Sequence, residues 1–180
     1  LCPNAAFSQF QKPRIAVFTS DSLVSTTRTL SGAQKIISQN YPDAVFNEYF
    51  LTRAPNSDTA VINSCRRNSA NIILTVGTSA TQFAKDNFGD IPIVFSGVLY
   101  PALSGFIETP AHPGGNITGA SLDIPLDVQF SYFKQIVPNM KRIGVLYTES
   151  TAPLIPSAKV IAQQLGLTLV PRMISEPKEI

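Results

Sequence analysis

The chain has 180 residues, of which 44% are hydrophobic and only 14% are charged, and its formal net charge is +2. This hydrophobic fraction is enough for a substantial core and excludes global disorder. The length suits one large α/β domain, or one domain and part of another. The sequence contains no run of like charges and no basic stripe, which argues against nucleic acids and anionic membrane surfaces as partners.

From Arg14 onward, short runs of apolar and β-branched residues alternate with amphipathic segments. The runs predict strands, which in chain order cover residues 14–20, 44–51, 71–77, 91–98, 117–122, 141–148 and 167–171. The amphipathic segments predict helices over residues 23–39, 58–67, 78–87, 125–137 and 152–165. Asn56 to Asp58 are cap candidates for the second helix, and Pro125 is placed in the first turn of the fourth. The repeated strand–helix units predict an α/β fold with a doubly wound parallel sheet.

Two of these strands, RIAVFTS from Arg14 and RIGVLYT from Arg142, have the same pattern. Each begins with a basic residue, continues with apolar residues and ends in a hydroxyl residue before a helix. The pattern favours two lobes of similar plan, and one larger sheet is the alternative. The residues from Ser175 to Glu179 look like the start of a further helix, so the second lobe is expected to be incomplete and the natural protein to be longer.

The first residues look like the end of a leader sequence. Ala6-Phe7-Ser8 is a small-x-small pattern just before Gln9, which is typical of signal-peptide cleavage after Ser8. An ordinary disordered N-terminus is the alternative for residues 1–8. No apolar run approaches the roughly 20 residues that a membrane span needs.

Cysteine and histidine are too scarce for most metal or nucleophile chemistry. Cys2 and Cys65 are the two thiols, and His112 is the one histidine. A zinc site built from several of these ligands and a CxxC redox pair are therefore excluded, and no cofactor is predicted. His112 lies in the loop sequence AHPGGN and is expected on the surface, while Cys65 is expected to be a partly buried lone thiol.

Ligands of open parallel sheets bind beyond the carboxyl ends of the strands, where helix N-termini present free N–H groups. These ends are rich in hydroxyl groups here. The candidate ligand-binding residues are Ser20, Asp21, Ser22, Gly77, Thr78, Ser79, Ser96, Gly97, Ser121 and Asp123, with Tyr147 and Thr148 from the second lobe.

The segment GTSAT is the most informative of these turns. Gly77 permits a tight turn, and Thr78 and Ser79 offer hydroxyls and N–H groups at the positive end of a helix dipole. Such a turn can hold a carboxylate or a small phosphate, although ordinary N-capping explains the same residues.

Enzyme signatures are missing from the sequence. It contains no GxGxxG after the first strand, no GxxxxGK[ST] and no GxSxG. Asp21, Asp123 and Glu149 could converge, but they could equally serve as helix caps or bind the ammonium group of a ligand, and their spacing identifies no acid–base pair. Binding is therefore favoured over catalysis.

The succession ILTVGTSATQFA, IPIVFSGV, HPGGNITGAS and NMKRIGVLYTES resembles the periplasmic substrate-binding proteins of ABC transporters, in the family that includes tryptophan and tyrosine binders. PGGNITG, followed about twenty residues later by PNMKRIGVLY, is the most specific part. The resemblance implies a type I periplasmic-binding fold, in which two Rossmann-like lobes close on a small ligand. By that plan the first lobe covers residues 9–138, and residues 139–180 begin the second.

The chain departs from the family pattern at three turns. Leu122 stands where the family has an Asp after the serine, and Asp123 follows one place later. Leu99-Tyr100-Pro101 replaces an S-D-P triplet, and SDSLVS replaces an H-P-A-like loop. The cradle around Thr78 matches. The resemblance therefore implies carboxylate binding there, with Tyr100 as a candidate wall of the pocket, and it supplies no matching partner for an ammonium group.

Three functions are compatible with these features. The first is an extracytoplasmic receptor that captures a small carboxylate-bearing solute, such as an aromatic amino acid, and delivers it to the membrane permease of an ABC transporter. The second is the ligand-sensing domain of a membrane-bound signalling receptor. The third is a Rossmann-like enzyme whose catalytic groups lie beyond this chain. The 180 residues alone are expected to bind ligand weakly or not at all.

Overall fold

The computed structural model describes residues 12–52 and 55–175. The predicted signal-peptide tail at residues 1–8, and most of the helix predicted from Ser175, lie outside these ranges. The chain forms two compact units, which are described separately: unit 1 is Leu1–Asp123 and unit 2 is Ile124–Ile180.

Unit 1 contains a sheet of parallel strands covered by helices, as predicted. Its strands are β1 (Arg14–Thr19), β2 (Val45–Phe50), β3 (Ile72–Val76), β4 (Ile93–Val98) and β5 (Ile117–Ser121), in the spatial order β2-β1-β3-β4-β5. Its helices are α1 (Val24–Asn40), α2 (Pro55–Arg67) and α3 (Thr78–Asn87). The direction in which strands are added reverses at the β1–β3 pair. After β1 the chain forms β2 on one side of it, and after β3 it forms β4 and β5 on the other side.

The apolar run of β1 explains why helices cover both faces of this sheet. Successive side chains of a strand point to opposite faces. Ile15 and Val17 pack in one cluster with residues of α1, whereas Ala16 and Phe18 pack in another with residues of α2 and α3. The Phe18 ring lies 5.4 to 5.5 Å, centroid to centroid, from the rings of Tyr49, Phe83 and Phe88. This side of the sheet is therefore held by an aromatic cluster.

The PGGNITG segment holds the amino ends of β4 and β5. The Asn116 side-chain amide donates to the carbonyls of Phe88 and Ile91, at 3.1 and 2.7 Å, and its backbone carbonyl accepts from Ile93 N–H at 2.8 Å. Three residues later, in β5, Gly119 lies so close to Phe95 of β4 that a Cβ would overlap the Phe95 carbonyl and ring. The segment therefore fixes the starts of β4 and β5, at the edge of the sheet opposite the carboxyl ends of the strands.

Unit 2 contains a separate parallel pair, β6 (Arg142–Tyr147) and β7 (Thr168–Met173). It also contains α4 (Leu126–Ile136), a 3-10 helix (Glu149–Leu154) and α5 (Ile155–Gln164). Since the strands described form two sheets, the two-lobe interpretation is supported over one larger sheet.

Helix α4 packs within unit 2, although the predicted first lobe extended to residue 138. Phe130 of α4 is buried in one cluster with Ile143 and Ala162, and Lys134 Nζ donates to the Leu165 carbonyl at 2.7 Å. The compact units divide after Asp123 instead. The lobe boundaries of the whole protein stay a prediction.

Helix α1 begins one residue later than predicted, at Val24, and three further helix starts, each with a proline, also differ from the prediction. Helix α2 begins at Pro55, so the cap candidates Asn56 to Asp58 lie inside its first turn. Pro125 is the N-cap of α4 and not part of its first turn. The helix predicted from Ala152 begins instead as the 3-10 helix, which contains Pro153, and α5 has a second proline in its first turn. A proline cannot donate the backbone hydrogen bond of a helix interior, which favours a restart at this point.

Candidate functional site

The candidate ligand site of unit 1 lies beyond the carboxyl ends of β1 and β3, where the strand order reverses. In open α/β sheets, ligands bind in the crevice where the strand order reverses, since neighbouring connections there leave to opposite sides. The turn after β1 carries the predicted residues Ser20, Asp21 and Ser22, and the turn after β3 carries Gly77, Thr78 and Ser79. Because β1 and β3 are paired neighbours, these two turns lie side by side.

Asp21 stabilises the turn that leads into α1. Its Oδ1 accepts from the Leu23 N–H at 3.0 Å and from the Thr26 hydroxyl at 2.6 Å. The Thr26 hydrogen bond, and after it that of Leu23, lowers the pKa of Asp21 below its ordinary value. Asp21 is therefore a carboxylate that holds the turn before α1, two residues ahead of the N-cap Leu23, and it does not itself cap the helix N–H groups.

Gly77 makes the sharp turn that joins β3 to α3. Its φ is +93°, in the region that favours glycine, and its N–H donates to the Ser96 carbonyl of β4 at 2.8 Å. Helix α3 begins at the next residue, Thr78, as predicted. The first N–H groups of a helix have no partner within the helix and lie at its positive end. This arrangement suits a carboxylate or a small phosphate.

Gly97 lies beside this turn. A Cβ at Gly97, whose φ is +68°, would stand 3.6 Å from the Gly77 nitrogen and 3.5 Å from Val76 Cγ1. The pairing of β4 with β5 shifts register between Ser96 and Val98, so Gly97 is the extra residue of a bulge. The structure therefore brings the Ser96–Gly97 and Gly77–Ser79 candidates together.

The predicted residues after β4 and β5 are joined directly to each other. Tyr100, at φ +51°, donates its N–H to Asp123 Oδ1 at 2.6 Å, and the Asp123 N–H donates to the Ser121 hydroxyl at 2.9 Å. One oxygen of Asp123 is thus occupied in holding the Tyr100 backbone in a conformation that non-glycine residues rarely adopt. Sequence reasoning placed these three residues at one edge but did not find this link.

Two buried threonines behind the Gly77 turn were missed. Thr75 and Thr81 are fully buried, and their Oγ1 atoms lie 2.8 Å apart. Thr81 Oγ1 also donates to the Gly77 carbonyl at 2.9 Å. The two residues are six positions apart, on either side of a strand–turn–helix junction, and each lies on the buried side of its strand or helix. This spacing is the sequence signal from which the contact could have been predicted.

In unit 2, Thr148 follows β6 and caps the 3-10 helix through reciprocal bonds with Thr151. A cavity of about 350 Å³ lies at this end of the pair of strands, lined by Thr148, Glu149, Met173, Ile174 and Ser175. Tyr147, also a candidate, is the last residue of β6 and is half-buried. The residues after β7 were missed, although the carboxyl-end rule applied to that strand as well.

The remaining predictions concern single residues. His112 is exposed, as predicted, whereas Cys65 is completely buried and not partly so, because α2 turns it into the core beside the Phe18 cluster. This burial raises the pKa of Cys65 to about 11.

Within residues 12–52 and 55–175, no group of three or more His, Cys, Asp or Glu side chains could hold a metal ion. Over the same ranges, none of the helices has the length and apolar character to span a bilayer.

The fold and the position of the candidate site define an α/β binding protein of the type I periplasmic-binding class. Residues 19–180 match the family model described as ABC transporter substrate binding protein, and the chain belongs to this family. The resemblance stated from the sequence is thereby confirmed.

Individual relatives agree with this assignment. A tyrosine-binding protein of Clostridioides difficile (strain R20291) is 33% identical over 79 residues, which are 44% of this chain and 23% of that protein. An ABC domain from Streptococcus pneumonia in complex with L-Trp has a TM-score of 0.74 at 21% identity, over 94% of this chain and 60% of that one. A ligand-free, open substrate binding protein with adhesive properties from Clostridium difficile has a TM-score of 0.75 at 21% identity, over 93% and 59%. The chain thus spans about 60% of the length of these solved relatives.

Proposed function

We propose that the chain is part of an extracytoplasmic solute receptor, which captures a small carboxylate-bearing ligand for the membrane permease of an ABC transporter. An aromatic amino acid is the ligand class we favour, because the tyrosine-binding protein and the L-Trp complex are both similar to this chain. The role is binding without catalysis.

The α3 N-terminus at the reversal of strand order is the observation that carries this proposal. Gly77 and Thr78 lie at the carboxyl end of β3, beside the turn after β1, and the helix dipole there favours a negative ligand group. The Gly97 bulge leaves this turn with only a small neighbour, so a ligand carboxylate can approach the backbone. We assign carboxylate recognition to Thr78 and Ser79, with the turns after β1, β4 and β5 bordering the same edge. Tyr147 and Thr148 remain candidates from unit 2.

Calorimetric titration of the full-length protein with L-tryptophan, L-tyrosine and 3,4-dihydroxybenzoate tests this function. We expect one of the amino acids to bind, and to raise the melting temperature by several degrees at a hundred times its Kd, since selective binding at that level adds about 2.7 kcal/mol. Thr78→Ala should weaken that binding. Ser38→Ala removes an exposed hydroxyl near the far end of α1 and serves as the matched control, which should leave the Kd unchanged. Absence of binding by every carboxylate would contradict the proposal.

A further inference from the structure

Two hydroxyl groups are buried at the junction of β3 and α3, where apolar side chains would pack equally well. Thr75 and Thr81 are both 0% exposed. Valine has nearly the same shape as threonine and carries no polar atom that needs a partner in the core. The two buried hydroxyl groups are therefore expected to have a role in hydrogen bonding beyond the packing of the core.

The hydrogen bonds of this pair run in one direction. Thr81 Oγ1 donates its single hydrogen to the Gly77 carbonyl at 2.9 Å. In the contact of 2.8 Å between the two hydroxyls, Thr81 must then accept, and Thr75 must donate. The result is a chain of donors from Thr75 through Thr81 to Gly77, in which each bond strengthens the next.

This chain fixes the peptide group between Gly77 and Thr78. The Gly77 carbonyl also accepts from the Thr81 backbone N–H at 3.1 Å, so one residue occupies both of its lone pairs. In a planar trans peptide, the N–H of Thr78 points opposite to that carbonyl. Its direction, out of the N-terminus of α3, is therefore set by Thr81.

We propose that Thr75 and Thr81 are positioning residues, which aim the N–H groups at the start of α3 and so determine how tightly the receptor holds its ligand. This inference rests on the proposed function, in which those N–H groups meet the ligand carboxylate. Preorganised donors bind an anion more tightly than donors that must first be ordered. Neither threonine touches the ligand.

Titration of the full-length protein with L-tryptophan and L-tyrosine measures the effect on binding. Thr81→Val should raise the Kd about tenfold, the equivalent of one hydrogen bond to the turn. Thr81→Ser keeps the hydroxyl and should bind like the parent. Thr118→Val removes an exposed hydroxyl of β5 and is the control, for which no change is expected.

The double variant Thr75→Val/Thr81→Val separates positioning from stability. Thr81→Val alone leaves the Thr75 hydroxyl buried without its partner, so the melting temperature should fall; replacing both residues removes that penalty and should restore it. The Kd should nevertheless stay about tenfold above that of the parent. Recovery of the parental Kd together with the melting temperature would overturn the proposal, because the pair would then act only through packing.

A measurement without ligand keeps this inference distinct from the proposed function. The ¹⁵N order parameter of the Thr78 amide should be near the rigid value of about 0.85 in the parent and lower in the double variant. An unchanged order parameter would overturn the positioning role. If neither amino acid binds the parent, the proposed ligand class fails, and the Thr78 order parameter alone decides whether the hydroxyl chain positions the turn.

Discussion

At the scale of single residues, Gly119 shows how little space separates β4 from β5. A methyl group there would overlap the Phe95 carbonyl and ring, and the backbone of a paired strand cannot move aside. We expect Gly119→Ala to lower the free energy of unfolding by about 1–3 kcal/mol, the usual range for overpacking. Gly115→Ala is the control, since a Cβ at Gly115 meets nothing within 4 Å. Urea unfolding followed by circular dichroism measures both, and equal midpoints would contradict this packing.

Cys65 should be chemically silent while the chain is folded. Its pKa, raised from 9.0 to about 11 by burial, reduces the thiolate at pH 8 about a hundredfold, and burial also blocks access. In a Cys2→Ser background, we expect a disulfide reagent to react at least about a hundredfold faster in 6 M urea than in buffer. Rapid labelling of the native protein would contradict the burial.

The same thiol makes stability depend on alkaline pH. Below pH 9 it is protonated in both states and contributes no pH dependence. Between pH 9 and about 11 the unfolded thiol ionises while the folded one does not, so ionisation favours the unfolded state and the free energy of unfolding falls. Cys65→Ala should show a smaller fall over this interval in urea unfolding curves measured at each pH.

At the scale of elements, the start of α1 depends on Asp21. Asp21→Ala removes the hydrogen bonds to the Leu23 N–H and the Thr26 hydroxyl, for which we expect a decrease of about 1 kcal/mol in the free energy of unfolding. Because these bonds lower the pKa of Asp21, its contribution is present above about pH 4 and is lost as the pH falls through the folded pKa.

Urea unfolding at several pH values tests this sign. The difference between the parent and Asp21→Ala should be constant near neutral pH and should shrink in acid. Asp21→Asn can still accept both hydrogen bonds and is the matched variant, which should lose less stability and show no such shrinkage. A difference that grows in acid would contradict this role of the Asp21 carboxylate.

Strands and helices were predictable because their signals are local. Continuous apolar runs identified β1 and β3. Helix α3 begins and ends at the predicted residues, because Gly77 makes a sharp turn just before it. The 3-10 helix was missed because an amphipathic pattern does not show where prolines interrupt it.

At the scale of the whole molecule, the two units differ in how much core each possesses. Among the residues that the structure describes, unit 1 has a five-stranded sheet with apolar clusters on both faces, whereas unit 2 has a two-stranded pair with one small cluster. We expect residues 1–123 to fold alone with a cooperative urea transition and dispersed amide NMR signals. Residues 124–180 alone should not, because isolated two-stranded sheets are marginal. A cooperative transition in the shorter fragment would contradict this difference.

The edge that holds the candidate site was predictable from the sequence, but the partners within it were not. Asp123 and Tyr100 are 23 positions apart, and their bond exists only because β4 and β5 are neighbours. The Thr75–Thr81 pair was missed for another reason, since Thr75 lies within β3 and Thr81 within α3, whereas the candidate residues were taken from the turns that follow the strands. In both cases the tertiary contact, and not the residue type, determines what the side chain does.

The bonds made by Asn116 determine what the PGGNITG segment can reveal about ligand specificity. The PGGNITG segment, the most recognisable part of the chain, ties β4 to β5 at the edge away from the proposed ligand turns. This segment indicates the family and the architecture of the chain, but it gives no information about the solute that is bound. The solute of this chain is therefore to be sought in the turns at the opposite edge of the sheet, to which we assign ligand recognition.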